Sequence, residues 1–465
     1  MAFKWTDKQN TPLTTSTPSN QLRKGIKAAA IGSAIGLGTL MSSSAMALKT
    51  DFGMEYRAVG FAASSDAFDT GAPGTSDTDT GFGHLIRVKA NFLDEDTGIS
   101  VYTSVELAGD RWVGDNHGVS SPANPQAFNA GSRGDNVRLD LGYAQIPVGH
   151  TIFRVGRQAT SYNNCFLVCD DRRDRLLMIQ PLSETTSMVA LYDRRQDSTP
   201  FANRDNGDMA ALGLTGKLSE NWNAGILYVQ WMNNYEGPLI GTPADTYILS
   251  NVSLFSGYVS GPIVGDALKA TLGFNYMTNG NVEGAVDEQY FTDKSPSSYL
   301  RLEGDAGVID WGLQYVISRD GGLISPGFDT YSSLINNNPD STQSPTSMYT
   351  MGSSFGYGRD GYDEDLIIGK LTWNVTDKFA ITGAVGQLSI DNPTAGIDTD
   401  DDSMVYDLRF SYQVNKALRT WLSLGMLEKN KAGQLSGNGL AGPIAGTTFA
   451  DDDVKAASLN MTVNF

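Results

Sequence analysis

The sequence predicts an all-β protein, a closed antiparallel transmembrane β-barrel of about eighteen strands with sixteen as the alternative count. Three observations carry that expectation. Segments of about 10–15 residues alternate apolar and polar side chains between Gly, Asp, Asn and Pro turns, the pattern of strands with two unlike faces. The connections alternate short and long. The chain ends on an alternating strand that closes with Phe465.

Composition agrees. The 465 residues include 51 Gly, 19 Tyr, 19 Phe and 7 Trp, and only 18% are charged. Beyond residue 50 no apolar run reaches the roughly 18 residues that a membrane helix needs. Residues 1–47 are expected to be an export signal: Arg23, Lys24 and Lys27 precede the apolar stretch Ala28–Met41, which ends in the cleavable pattern Ala45-Met46-Ala47. Residues 48–465 then form the barrel. Removing the signal takes five Lys/Arg and one Asp from the chain and moves the net charge from −18 to −22. A nucleic-acid partner is not expected at that charge.

The last strand shows the alternation most clearly. Ala457, Leu459, Met461, Val463 and Phe465 share one face, and Ser458, Asn460, Thr462 and Asn464 the other. A C-terminal Phe after such a strand resembles the signal read by the outer-membrane barrel-assembly machinery. Upstream, Phe52, Met54 and Tyr56 oppose Asp51, Glu55 and Arg57, and Val137, Leu139, Leu141 and Tyr143 oppose Arg138 and Asp140. Eighteen segments begin near residues 50, 82, 99, 135, 151, 173, 186, 208, 223, 246, 266, 297, 311, 364, 379, 403, 417 and 453. Short periplasmic turns then alternate with long outer loops, and both termini fall on the periplasmic side.

If the apolar faces meet lipid, the polar faces line the lumen. Arg87, Arg138, Arg154 and Arg301 then stand on the wall, joined by Arg172 and Arg175 if the loop near 163–171 leans inward. Rings of Arg and Lys favour anions; the competing reading pairs these charges with Glu and Asp across strands. Parity sends Arg154 and Gln158 one way and Arg157 the other, so one arginine requires a bulge or a subunit interface. The long segment 320–362 either enters the lumen or caps the outside. Asp398 and Asp400–Asp402 have the carboxylate density of a divalent-cation site without the spacing of a calcium loop. Bridging to lipopolysaccharide explains the acidic loops equally well.

Cys165 and Cys169 are expected to form a small-loop disulfide in an oxidising compartment. No His follows them for haem attachment, and no further ligands stand near for zinc, so no cofactor is expected. With His84, His117 and His150 the only histidines, a nucleophile with a base has little to draw on, and an enzyme is not expected.

The stretch Arg154-Val-Gly156-Arg157-Gln158, Tyr162 and the arginines after it resemble the alginate-export family of outer-membrane porins. That resemblance implies an eighteen-stranded barrel, a constriction lined by arginine, an anionic polyuronate as solute and a monomer. Asn163-Asn164 and Leu176-Leu177-Met178 depart from the family's pattern. The expectation is a porin-type channel in the outer membrane for passive diffusion of small hydrophilic, anionic solutes. It would contact lipopolysaccharide and the other outer-membrane lipids, with a homotrimer as one assembly. The alternative is a barrel that conducts nothing or is filled by a partner, an adhesin or the sheath of an electron conduit.

Overall fold

The computed structural model describes residues 48–65, 77–111, 137–196, 207–233, 236–238, 246–249, 252–265, 267–278, 282–283, 294–325, 327–335, 363–391, 403–428 and 453–465. The expected signal at 1–47 and the acidic run 398–402 lie outside them.

Eighteen strands make one antiparallel sheet. In chain order they begin with β1 (Leu48–Ser64), β2 (Thr78–Asp94), β3 (Ser100–Arg111), β4 (Arg138–Val148), β5 (Thr151–Tyr162) and β6 (Val168–Pro181). Then come β7 (Thr186–Gln196), β8 (Gly207–Lys217), β9 (Asn223–Asn233), β12 (Val252–Val264), β13 (Leu268–Thr278) and β15 (Ser295–Asp305). The last six are β16 (Ile309–Ser318), β17 (Asp363–Asn374), β18 (Phe379–Asp391), β19 (Ser403–Gln413), β20 (Leu418–Leu427) and β21 (Val454–Asn464). Each pairs with its neighbour in sequence, and β1 closes the ring against β21, with Tyr56 opposite Val463. Phe465 completes the seam by exchanging backbone hydrogen bonds with Met54. Closure gives each of the eighteen described barrel strands a partner on both sides, as a bilayer requires.

The eighteen-strand expectation holds, with two displacements: the sixth strand begins at Val168 rather than near 173. The tenth barrel strand begins at Val252 rather than near 246. Thr246–Leu249 (β11) instead joins Glu236–Pro238 (β10) and Val282–Glu283 (β14) in a separate three-stranded sheet.

Alternation places apolar side chains outward. Phe52, Phe153, Leu212, Leu272, Leu371 and Leu459 are each more than a third exposed, although they are large and apolar. A continuous outward band of this kind is the surface that lipid covers. Charged side chains go inward on β1–β7, where Glu55, Arg87, Glu106, Arg175 and Asp193 are buried.

Two sequence expectations need correction. Ser104 pairs with Leu141 and Val105 with Leu139, so Asp140 is the extra residue of a β-bulge. A bulge exchanges the two faces of the strand. Leu139 stays outward, whereas Tyr143 turns in, with its ring 5.4 Å from that of Tyr102. Nor is the inner face polar throughout. Met209, Ala211, Leu227 and Val229 point inward on β8 and β9, as do Val316, Leu366 and Ile368 on β16 and β17. Inward apolar residues need cover, and two chain segments supply it.

Candidate functional site

The connection between β5 and β6 turns into the lumen. Asn163 and Asn164 adopt left-handed backbone angles (φ 55° and 53°), and the Phe166 amide closes the turn on the Asn163 carbonyl at 2.8 Å. Asparagine tolerates that conformation better than other non-glycine residues. The Asn163 side chain then donates to Ser256 Oγ and to the carbonyls of Gly257 and Phe274, anchoring the turn on β12 and β13. Asn164 donates to the Tyr299 hydroxyl at 2.8 Å. Cys165 and Cys169 are joined in a disulfide that holds both ends of Phe166-Leu167-Val168.

Residues 320–325 and 327–335, described parts of the long segment after β16, also run inside. Asn275 on β13 and Ser297 on β15 donate to the Leu323 carbonyl. Farther round the wall, the Ser333 amide donates to Asp407 on β19 at 2.9 Å. Ile324, Phe328, Leu334 and Ile335 are fully buried against Val316, Leu366, Leu388, Val405 and Leu427. Each such side chain contributes about 1.5–3 kcal/mol by burial, enough to hold a segment of this length in the lumen.

The two insertions meet. The Ser325 amide donates to the Phe166 carbonyl at 2.9 Å. The rings of Phe166, Tyr299 and Phe328 form a triangle with centroids 4.7–4.9 Å apart. Aromatic contacts at such distances add about 0.5–1.5 kcal/mol each.

Opposite the insertions, β1–β7 keep a charged inner face, and its charges are paired. Arg87 reaches Asp140 at 3.3 Å and Glu106 at 3.5 Å. Arg172 reaches Asp140 at 2.6 Å and also pairs with Asp170. Arg175 reaches Asp193 at 2.9 Å and Asp171 at 3.5 Å. Glu55 holds Arg57 and, at 2.8 Å, Lys89. Gln158 faces inward and donates to the carbonyls of Gly156 and Arg175. Cross-strand pairing thus describes this wall better than a bare cationic lining.

Arg154 and Arg301 differ from that set. Arg154 donates to Gln145 at 2.9 Å and lies over the Tyr143 ring. Arg301 donates to Gln314 and to the Asp329 carbonyl, both at 2.6 Å, and sits within 5.8 Å of the Tyr299, Phe328 and Tyr331 ring centroids. Both guanidinium groups therefore hydrogen-bond neutral acceptors. Arg138 lies opposite Glu106 at the outer end of β4, and its side chain is outside the described residues.

A cavity of about 110 Å³ opens between the second insertion and β17–β20, lined among others by Asp329, Tyr331, Lys370, Thr372, Arg409 and Ser423. Burial raises the Tyr331 phenol well above its ordinary value. It therefore stays protonated, donates to Glu303 at 3.3 Å and takes Lys370 on its ring face at 3.8 Å. The sequence reading singled out neither Tyr331 nor the Phe166–Tyr299–Phe328 triangle. Their only signal was aromatic residues in segments otherwise rich in turn formers.

Ring closure, outward apolar band and inward-folded segments define a closed eighteen-stranded transmembrane β-barrel with two segments folded into its lumen. No family model and no curated protein matches the chain. Solved structures do match its fold. OccK9 (OpdG) of Pseudomonas aeruginosa covers 90% of this chain and 99% of its own at 13% identity, with a TM-score of 0.55. The outer membrane protein OpdK of the same organism covers 89% and 99% at 13% identity, with a TM-score of 0.53. OpdQ, also from Pseudomonas aeruginosa, covers 90% and 98% at 10% identity, with a TM-score of 0.52.

Proposed function

We propose that this chain is an outer-membrane channel for passive diffusion of small hydrophilic solutes, with a preference for small carboxylates. The observation that carries the reading is the division of the lumen. The insertions pack on the apolar inner faces, while β1–β7 opposite retain a polar wall. A lumen divided this way supports narrowing rather than sealing, and solutes would pass between the insertions and the charged wall.

In this reading the paired arginines Arg87, Arg172 and Arg175 fix the shape of the wall, because a buried ion pair holds its partners in place. Arg154 offers a guanidinium group able to bind a carboxylate through two parallel hydrogen bonds and exchange it, whereas Arg301, held by Gln314 and the Asp329 carbonyl, fixes the second insertion. OpdK has also been solved with vanillate, an aromatic carboxylate, at 12% identity to this chain. The uronate solute implied by the alginate-export resemblance carries the same group, so both point to one chemistry. Residues 1–47 act as the export signal, Phe465 engages the assembly machinery, and lipopolysaccharide surrounds the outer rim.

The test is swelling of liposomes that contain the folded mature protein, in gluconate and in a neutral sugar alcohol of the same size. Faster swelling in gluconate is the expected result. Equal rates would remove the carboxylate preference and leave the channel. An absence of swelling with either solute would favour the filled, non-conducting barrel.

A further inference from the structure

On the outer wall, four charges stand in one row across four strands. Arg157 on β5 lies opposite Asp174 on β6, Asp174 opposite Arg194 on β7, and Arg194 opposite Asp208 on β8. Arg157 approaches Asp174 at 4.0 Å, and Arg194 reaches Asp208 at 2.8 Å. These side chains point away from the lumen, sharing their parity with the outward Val155, Leu176, Tyr192 and Leu212. They are not withdrawn from the surface: the Asp174 side chain is 71% exposed, and those of Arg157 and Arg194 are 36% and 39% exposed.

Arg157 and Asp174 stand in the middle of their strands, within the band that should be apolar, and Arg194 and Asp208 continue the row at the outer ends of β7 and β8. On β5 only Thr151, Phe153 and Val155 point outward between the turn at Gly149–His150 and Arg157. On the far wall, β16 presents Trp311, Leu313, Tyr315 and Ile317 outward in succession with no charge among them. A charge facing acyl chains at this depth is costly, so bare lipid is an unsuitable neighbour for the β5–β8 wall.

We propose that the β5–β8 wall is where a second copy of this chain docks. Copies in one membrane share its orientation, so the axis relating two neighbours lies along the membrane normal. A two-fold rotation about such an axis reverses the order of the row, so that Asp174 of one copy faces Arg194 of the next at the centre. The outward Ala159, Ala190 and Ala210 beside the row let two backbones approach closely, as small residues do between membrane segments. Lipid phosphate fits less well, because the exposed Asp174 carboxylate would repel it. This interface goes beyond the channel reading and does not depend on it.

The experiment measures the mass of the folded mature protein in mild detergent by light scattering, together with oxidative crosslinking in membranes of a Leu176→Cys variant, whose thiol stands outward beside the central pair. Cys165 and Cys169 occupy each other, so the introduced thiol has no competitor among the native cysteines. The expected result is a protein mass at least twice that of the monomer and a crosslinked band. Asp174→Arg should give a monomer that keeps the heat-dependent gel mobility of a folded barrel. Adding Arg194→Asp to it should restore the larger mass. A monomeric unsubstituted protein without crosslinks would overturn the proposal, and co-purified lipid A on that monomer would assign the row to lipid instead. A folded double variant that stays monomeric would overturn the central pairing.

Discussion

Phe166 and Phe328 come from different loops of the barrel and meet edge to face inside it, their ring centroids 4.9 Å apart. Neither ring has any exposed surface. The contact locks together the two segments that fold into the lumen.

Replacing Phe166 or Phe328 with Ala should widen the channel. Large-to-small changes at buried aromatic sites cost about 3–5 kcal/mol, here drawn mainly from the docking of the insertions. Single-channel conductance should rise in either variant, and the double variant should exceed neither by much, because both remove one contact. Unchanged conductance in both folded variants would mean that the path runs elsewhere.

Opening the Cys165–Cys169 disulfide should loosen the first insertion without unfolding the barrel. A loop this short gains only about 2 kcal/mol from closure in the chain-entropy account. Current recordings of a Cys165→Ser/Cys169→Ser variant should show more open-channel noise than the unsubstituted protein, with the barrel's thermal transition nearly unmoved. Quiet recordings would show that the asparagine anchors suffice.

Arg87→Ala removes the buried guanidinium that Glu106 and Asp140 share, while Asp140 keeps Arg172. Breaking a buried pair from one side costs about 3–5 kcal/mol, to be read from thermal unfolding. The reversal potential in a KCl gradient should move towards K⁺ selectivity. Asp140→Asn should move it the opposite way. Shifts of the same sign in both variants would disconnect this wall from permeation.

Arg301→Lys keeps the charge and loses the fork that reaches Gln314 and the Asp329 carbonyl together. A lysine cannot reproduce planar two-point donation. The variant should resemble the disulfide variant in noise while keeping its ion selectivity. A selectivity change without added noise would mean that Arg301 acts on the solute alone.

The barrel was legible in the sequence because its cause is local. Alternation at Phe52–Arg57 or Ala457–Phe465 follows from one face meeting lipid, and each strand repeats it. Thr246–Leu249 misled because four β-formers beside a turn look the same in a barrel strand and in a small sheet. The Asp140 bulge was hidden, since one extra residue leaves the composition of β4 unchanged. Pairing of Arg172 with Asp140 and of Arg175 with Asp193 depends on which strands become neighbours. The insertions were least legible: Phe166 and Phe328 are 162 positions apart, and only closure of the barrel brings them together.

The most direct test of the account is single-channel recording of the refolded mature protein in a planar bilayer under a KCl gradient. The account predicts discrete conductance steps, with a reversal potential on the Cl⁻ side. Protein shown to be folded that gives no steps at all would contradict it, because the insertions would then seal the lumen rather than narrow it.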